Sequence, residues 1–264
     1  NHDSKEFLVT SIYKEAFEEA KLIKVIRFSP DSQLTTICEN AFSNSSIESI
    51  FLPLHLTEIK EQAFYCCSKL KIVDIPQNSE LKIIGAEAFA ETKIECIFFP
   101  KSLTEVKKSA FLNCFKLKKV EISKNSELKE IGEYSFSNTN IECFEIPSNL
   151  TKISKGLFFK TPRLESIKFP NDSKLEILEA QAFQRSAIKS IMIPSNVTTI
   201  EYECFQNSEI QRFEVSKDSK LKIIKRNIFD YSHLESLSIP SSIIQLEEGW
   251  CDQLSHLMLF PLIF

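Results

Sequence analysis

Residues 84–100 read IGAEAFAETKIECIFFP, and residues 131–147 read IGEYSFSNTNIECFEIP. The two stretches begin 47 residues apart and share Gly, Phe, Ile-Glu-Cys and a closing Pro. A chain that repeats itself has to be read as repeats before anything else. The Phe of the first stretch is Phe89, and its equivalents fall at Phe17, Phe42, Phe64, Phe111, Phe136, Phe158, Phe183, Phe205 and Phe229, with Trp250 in the last such place. The gaps alternate between 25 and 22 residues up to Phe205, then run 24 and 21. The 47-residue echo is therefore one long unit plus one short unit.

Each unit has three parts. The first is an anchor motif, apolar-x-x-apolar, as in LTEI (56–59) or LKII (81–84). Its anchors are Val9, Leu34, Leu56, Leu81, Leu103, Leu128, Leu150, Leu175, Val197, Leu221 and Ile243. The repeat Phe follows its anchor by eight residues, and Trp250 follows by seven. Last comes apolar-x-x-apolar-x-apolar, as in LKIVDI (70–75), usually followed by Pro. Alternation over so few residues indicates a short strand with one buried face. The Pro lacks a donor and closes that strand. One such unit cannot bury its own apolar edge, but units stacked in parallel share a continuous core. A Phe at a fixed place in every unit predicts an internal stacked column. Paired helices fail on spacing, because too few residues separate each Pro from the next strand. The chain thus reads as one solenoid domain, with 1–8 as an N-terminal cap or tail, 9–242 as regular repeats and 243–264 as a divergent or truncated last repeat.

The 264 residues are 43% hydrophobic and 26% charged, enough to build a core. A net charge of −4 gives no basic face for nucleic acid, so no nucleic-acid partner is expected. Four glycines leave no room for phosphate-cradling loops. No run of 18 apolar residues could span a membrane. The sequence lacks an initiator Met and ends on LMLFPLIF, which reads as a processed product or a fragment.

With the unit defined, the chain resembles leucine-rich repeats of the BspA-like (treponemal-type) kind, whose pattern is roughly LxxIxIPxxLxxIgxxAFxxC. LKIVDIPQNSELKIIGAEAF (70–89) and IECFEIPSNLTKISKGLF (141–158) meet it, and the likeness covers nearly the whole chain. The resemblance implies a leucine-rich-repeat solenoid of about ten to eleven repeats. It also implies a concave sheet of short parallel strands and a convex side of irregular or short helical turns. Proteins of this family occur on the surface of bacteria and protozoan parasites or are secreted by them, and are implicated in adhesion and protein binding. Here no cysteine cluster caps either end, so any cap must be Asn1 to Phe7, the truncated last unit or a missing segment.

Positions three and five of the longer strand motif should point outward on the concave side. Position five reads Arg27, Phe51, Asp74, Phe98, Glu121, Glu145, Lys168, Met192, Glu214 and Ser238. Position three reads Val25, Ser49, Ile72, Cys96, Lys119, Cys143, Ser166, Ser190, Arg212 and Ser236. Val25, Phe51, Ile72, Cys96 and Phe98 form an expected apolar region on the first four strands. Charges such as Arg27, Asp74 and Glu121 ring it, the make-up of a protein-binding hot spot. Two plainer readings stand beside that one: β-propensity satisfied on a sheet face, or cover by a terminal segment. Position two alternates in charge, Lys24, Glu48, Lys71, Glu95, Lys118 and Glu142, then Glu165 and Lys189. That pattern reads as a structural ladder favouring register.

Only the long units carry PDSQ, QNSE, KNSE, NDSK or KDSK between strand and anchor. Asn or Asp followed by Ser suits a turn held by side-chain bonds to the backbone. These loops should form a row about 10 Å apart, either a contact for a periodic partner or the relic of duplicating a two-unit block. Four Asn-x-Ser/Thr sequons, at Asn44, Asn149, Asn171 and Asn196, would accept glycans on a secretory route.

Chemistry is harder to find. Cys96 and Cys143 lie two units apart, about 10 Å by strand spacing, too far for a disulfide. Without CxxC the cysteines read as reduced thiols in the core or on the sheet. His2, His55, His233 and His256 are scattered, and neither GxSxG nor GxGxxG occurs. The expectation is a non-enzyme with no cofactor, metal or small-molecule substrate and with protein partners. It would act at a cell surface in host or matrix recognition, or alternatively as an intracellular scaffold.

Overall fold

The computed structural model describes residues 8–237, 239–250, 254 and 258–259. The expected cap at Asn1 to Phe7, Ser238 of the sheet face, and most of the chain after Trp250 lie outside the described residues. Every regular unit contributes two strands rather than one. The anchor motif ends in a two-residue strand, as at Glu58–Ile59, and the longer motif gives three or four residues up to Arg212–Val215, as at Ile72–Asp74 or Cys96–Phe99, and two thereafter. Each strand pairs in parallel with its counterpart in a neighbouring unit, for example Glu58 with Ile83 and Ile50 with Val73. The short strands form ladders of six, from Ser11–Ile12 to Glu130–Ile131, and five, from Lys152–Ile153 to Gln245–Leu246. The longer strands form the sheet that sequence reasoning anticipated, divided into groups of three, two, two and four.

The third side of the solenoid differs from expectation. No helix occurs among the described residues, so the short-helical convex side is replaced by a ladder of turns. The cause lies in the backbone around each repeat Phe. In all ten units from Phe17 to Phe229, the residues two before and two after the Phe have positive φ, as Gln62 and Cys66 do around Phe64. A left-handed residue twice in five positions stops a right-handed helix. It also turns alternate N–H groups toward the next unit. Gln62, Phe64 and Cys66 donate to the carbonyls of Ala86, Ala88 and Ala90 at 2.8–3.0 Å. The residues between them, Ala63, Tyr65 and Cys67, donate back to Lys60, Gln62 and Phe64. Each left-handed L-residue costs about 1–2 kcal/mol, which the added inter-unit hydrogen bonds and Phe burial must offset.

The core follows directly. From Phe42 to Phe229 every repeat Phe is buried. Successive rings stack at centroid distances of 5.0 Å (Phe42–Phe64) to 6.0 Å (Phe136–Phe158), close to the strand spacing of about 4.8 Å. Phe99, Phe144 and Phe213, from the longer strands, lie tilted or edge-on against this column. The repeated glycines of the opening motif have a reason in the same stacking. A Cβ on Gly85 would run into the backbone of Lys60 and Glu61, and one on Gly132 into that of Lys107 and Lys108.

Phe136 touches Phe111 at 5.5 Å and Phe144 at 5.3 Å, so truncation opens a void with neighbours held by their own units. Phe136→Ala should lower unfolding stability by about 3–5 kcal/mol in urea denaturation followed by circular dichroism, and an unchanged midpoint would contradict the column.

Candidate binding face

On the longer-strand sheet, position four points inward. Ile50, Val73, Ile97, Val120, Phe144, Ile191 and Phe213 are all buried. Of the outward positions, Arg27, Asp74, Cys96, Glu121, Glu145, Lys168 and Arg212 are exposed, as are Val25, Ile72 and Met192, each about half accessible. Phe51 and Phe98 are half-buried instead of forming open anchors, and Ser49 is buried. Cross-strand register explains the difference. Arg27, Phe51 and Asp74 stand side by side on three strands, and the Arg27 guanidinium lies over the Phe51 ring, 3.5 Å from its centroid. Such a cation–π contact contributes about 0.5–1 kcal/mol at an exposed site and covers one ring face. Val25, Ser49 and Ile72 form the adjacent row, leaving two exposed aliphatic side chains around a buried serine. The structure therefore brings Val25, Arg27, Phe51, Ile72 and Asp74 into one patch. Phe98 pairs instead with Glu121, while Cys96 pairs with Lys119.

The position-two charges remain exposed, but only Lys24–Glu48, at 3.7 Å, closes to within 4 Å among the described residues. The ladder is thus a weaker restraint than its alternation implied. A different cross-unit network does more. Gln62 Nε2 donates to Glu87 at 2.7 Å, Asn113 Nδ2 to Glu91 at 2.7 Å, and Asn138 Nδ2 to Asn113 at 2.8 Å.

The long-unit loops form their row, and in each the Ser makes the expected side-chain bond. Ser32, Ser79, Ser126, Ser173 and Ser219 each accept from the N–H of the following anchor at 3.2–3.3 Å. Between these loops the short units leave open grooves, of about 550 Å³ beside Ile146 and Pro147 and about 690 Å³ beside Ile193 and Pro194. Asn149 and Asn196 bridge successive long loops. Their Nδ2 groups donate to the Ser126 and Ser173 carbonyls, and their Oδ1 atoms accept from Lys174 and Lys220. Two of the four sequon amides are thereby committed to the fold, and Asn44 Nδ2 donates to Ser43. Asn171 is exposed.

A buried polar column went unread in the sequence, although its signal is visible there: Ser, Thr or Cys stands three residues after nearly every repeat Phe. Thr92, Thr139, Thr161 and Ser208 donate to the carbonyl of their own repeat Phe at 2.6–2.8 Å. Cys67 and Cys114 donate instead to Phe42 and Phe89 of the preceding unit, at 2.9 and 3.1 Å. Burial pushes the Cys67 thiol up to about 11 and Cys114 to about 12, and moves Cys204 in the same direction. All seven cysteines among the described residues are free thiols, Cys96 exposed on the sheet and Cys143 half-buried beside Ser166. His55 meets Glu80 at 3.1 Å and His233 meets Glu209 at 3.4 Å, both near the surface. His2 and His256 lie outside the described residues. No group of His, Cys, Asp and Glu among the described residues is placed to hold a metal. No helix among them is long and apolar enough to cross a membrane.

Paired parallel strands, a turn ladder and a stacked Phe column define a leucine-rich-repeat β-solenoid of about ten turns. The family description "BspA type Leucine rich repeat region (6 copies)" matches residues 6–118, 82–211 and 157–258, and the chain belongs to that family. Among solved structures, a leucine-rich repeat protein from Bacteroides ovatus superimposes with a TM-score of 0.67 at 23% identity, over 96% of this chain and 77% of that one. The pneumococcal vaccine antigen PcpA gives a TM-score of 0.54 at 23% identity over the same shares, and a leucine-rich repeat protein from Eubacterium ventriosum 0.50 at 19%, over 97% of this chain and 82% of its own. These likenesses establish the fold. No curated protein matches the chain.

The thiol shifts give a pH dependence. Unfolded cysteines ionise near 9 while folded Cys67 and Cys114 stay protonated, so the unfolded state loses protons first and stability falls as pH rises from about 9 toward 11–12. Urea midpoints measured between pH 8 and 10.5 should decline, and less steeply in Cys67→Ser/Cys114→Ser; equal slopes would refute the linkage.

Proposed function

We propose that this chain is a non-catalytic protein-binding solenoid that works at a cell surface, engaging a host or matrix protein through its longer-strand sheet. The observation that carries this reading is the patch of Val25, Arg27, Phe51, Ile72 and Asp74. There, exposed aliphatics stand beside an aromatic ring held under a guanidinium and flanked by a carboxylate. Aromatic and Arg side chains of this kind are enriched where interfaces concentrate their energy. The patch lies on one hydrogen-bonded group of three strands, whose parallel pairing holds its side chains in register, so binding there loses little conformational entropy. The surface role leans on the family resemblance and on the fold that the chain shares with a pneumococcal vaccine antigen. Asn171, exposed at a loop of the long-unit row, is the sequon that could carry a glycan without breaking a bridge. One observation favours the second reading, an intracellular scaffold: the seven free thiols suit a reducing compartment. In either case the sheet face is the working surface, and neither reading calls for a cofactor.

Affinity capture from the native source with mass spectrometry separates the two. Host-surface or matrix proteins together with a glycosylated Asn171 are expected; intracellular assembly proteins and unmodified asparagines would establish the scaffold. Phe51→Ala with Phe98→Ala should weaken capture at least tenfold while leaving the circular dichroism spectrum intact, and unchanged capture would remove the sheet face as the site.

A further inference from the structure

A second surface lies at the turn corner, away from the longer-strand sheet. A pocket of about 380 Å³ opens there between four successive units, lined by Phe115, Asn138, Thr139, Asn140, Lys160, Pro162 and Arg185. Phe115 is 56% exposed, unusual for a Phe in a chain whose repeat rings are all packed inward. The neutral side-chain donors of the wall are already used within the fold. Asn138 Nδ2 donates to Asn113 at 2.8 Å, Thr139 Oγ1 to the Phe136 carbonyl at 2.8 Å, and Asn140 Nδ2 to the Phe115 carbonyl at 2.7 Å. What remains to face a ligand is apolar surface from Phe115 and Pro162 and the two cations of Lys160 and Arg185. Neither cation has a carboxylate within 4 Å among the described residues, and no acidic residue lines the pocket. Lys160 Nζ is 5.3 Å from the Phe159 ring, which holds it at the rim. Lys116 and Arg163, next in sequence to Phe115 and Pro162, are exposed and add positive charge to the same two segments.

We propose that this pocket docks an acidic segment of a partner protein, with an apolar side chain against Phe115 and Pro162 and a carboxylate between Lys160 and Arg185. The charge is complementary, and a carboxylate held by two cations beside an apolar floor gains from both. A glycan would need several neutral donors, and the amide and hydroxyl donors of this wall already bond within the fold. The site lies on a different edge from the sheet patch and stands or falls independently of it.

The test is fluorescence anisotropy with a labelled decapeptide alternating glutamate with leucine and phenylalanine, titrated with the whole chain at low and physiological salt. Saturable binding below millimolar is expected, weaker at higher salt. It should weaken at least tenfold in Phe115→Ser, in Lys160→Gln/Arg185→Gln, and with a peptide carrying glutamine for glutamate. Phe51→Ala should leave it unchanged. Phe115 and Arg185 are exposed while Lys160 and Phe51 are half-buried, and melting curves matching the parent confirm that each variant folds. Absence of saturable binding, or binding indifferent to both variants, overturns the proposal. So does saturable binding of sialyllactose in calorimetry where the peptide fails to bind, which would identify a glycan site. Self-association in sedimentation that is lost in Phe115→Ser would give the pocket to a second copy of the chain instead.

Discussion

No unit of this protein can stand alone, and that single constraint organises the rest. A turn of 22–25 residues offers one Phe, a few Leu and Ile side chains and strands of two to four residues. Its hydrogen-bonding groups and its apolar edge are both satisfied only by the turn before and the turn after. Phe64 shows both at once: its ring is stacked between Phe42 and Phe89 at 5.0 and 5.1 Å, and its N–H donates to Ala88 of the next unit. Spacing of rings and spacing of backbones agree, so neither interaction is bent to satisfy the other.

The two lengths of unit act on the outside of this stack without disturbing its inside. The extra residues of each long unit are confined to one loop, closed by a Ser that accepts from the next anchor N–H. The short units leave grooves between these loops, and Asn149 and Asn196 fasten one loop to the next across them. Variation is thus permitted at the rim because the column and ladders are indifferent to it. The same separation lets one family of folds carry different binding surfaces.

How much of this was legible in the sequence depended on whether a feature repeats in residue type. The Phe column was, because Phe recurs at fixed spacing and little else can fill its place. The outward positions of the longer strands were, because alternation over six residues is enough to show a face. The short strand at Glu58–Ile59 was not: two residues cannot display a period. Nor was the turn ladder, whose left-handed positions are filled by Glu, Asn, Gln, Cys, Ser, Tyr, Lys and Arg, with Gly156 the one glycine among them. Had glycine marked them, the missing helix would have been foreseen. At the candidate site, sequence placed Phe51 on the correct face, but its cover by Arg27 depends on a side-chain direction across two strands. Phe115 escaped notice for another reason: it stands outside the repeat pattern, and only the stacking of four units reveals the pocket around it.

The three ladders share one further property, which concerns mechanics. All of them tie each unit to its neighbours, while the bonds within a unit are local ones that only close its turns. Tension applied along the polypeptide therefore loads the outermost unit alone, which has a neighbour on one side only. The solenoid should peel turn by turn instead of giving way at once, and each turn of 22 or 25 residues should release roughly 75–90 Å of extended chain. A body built this way yields in small steps under load and restacks from the turns still folded.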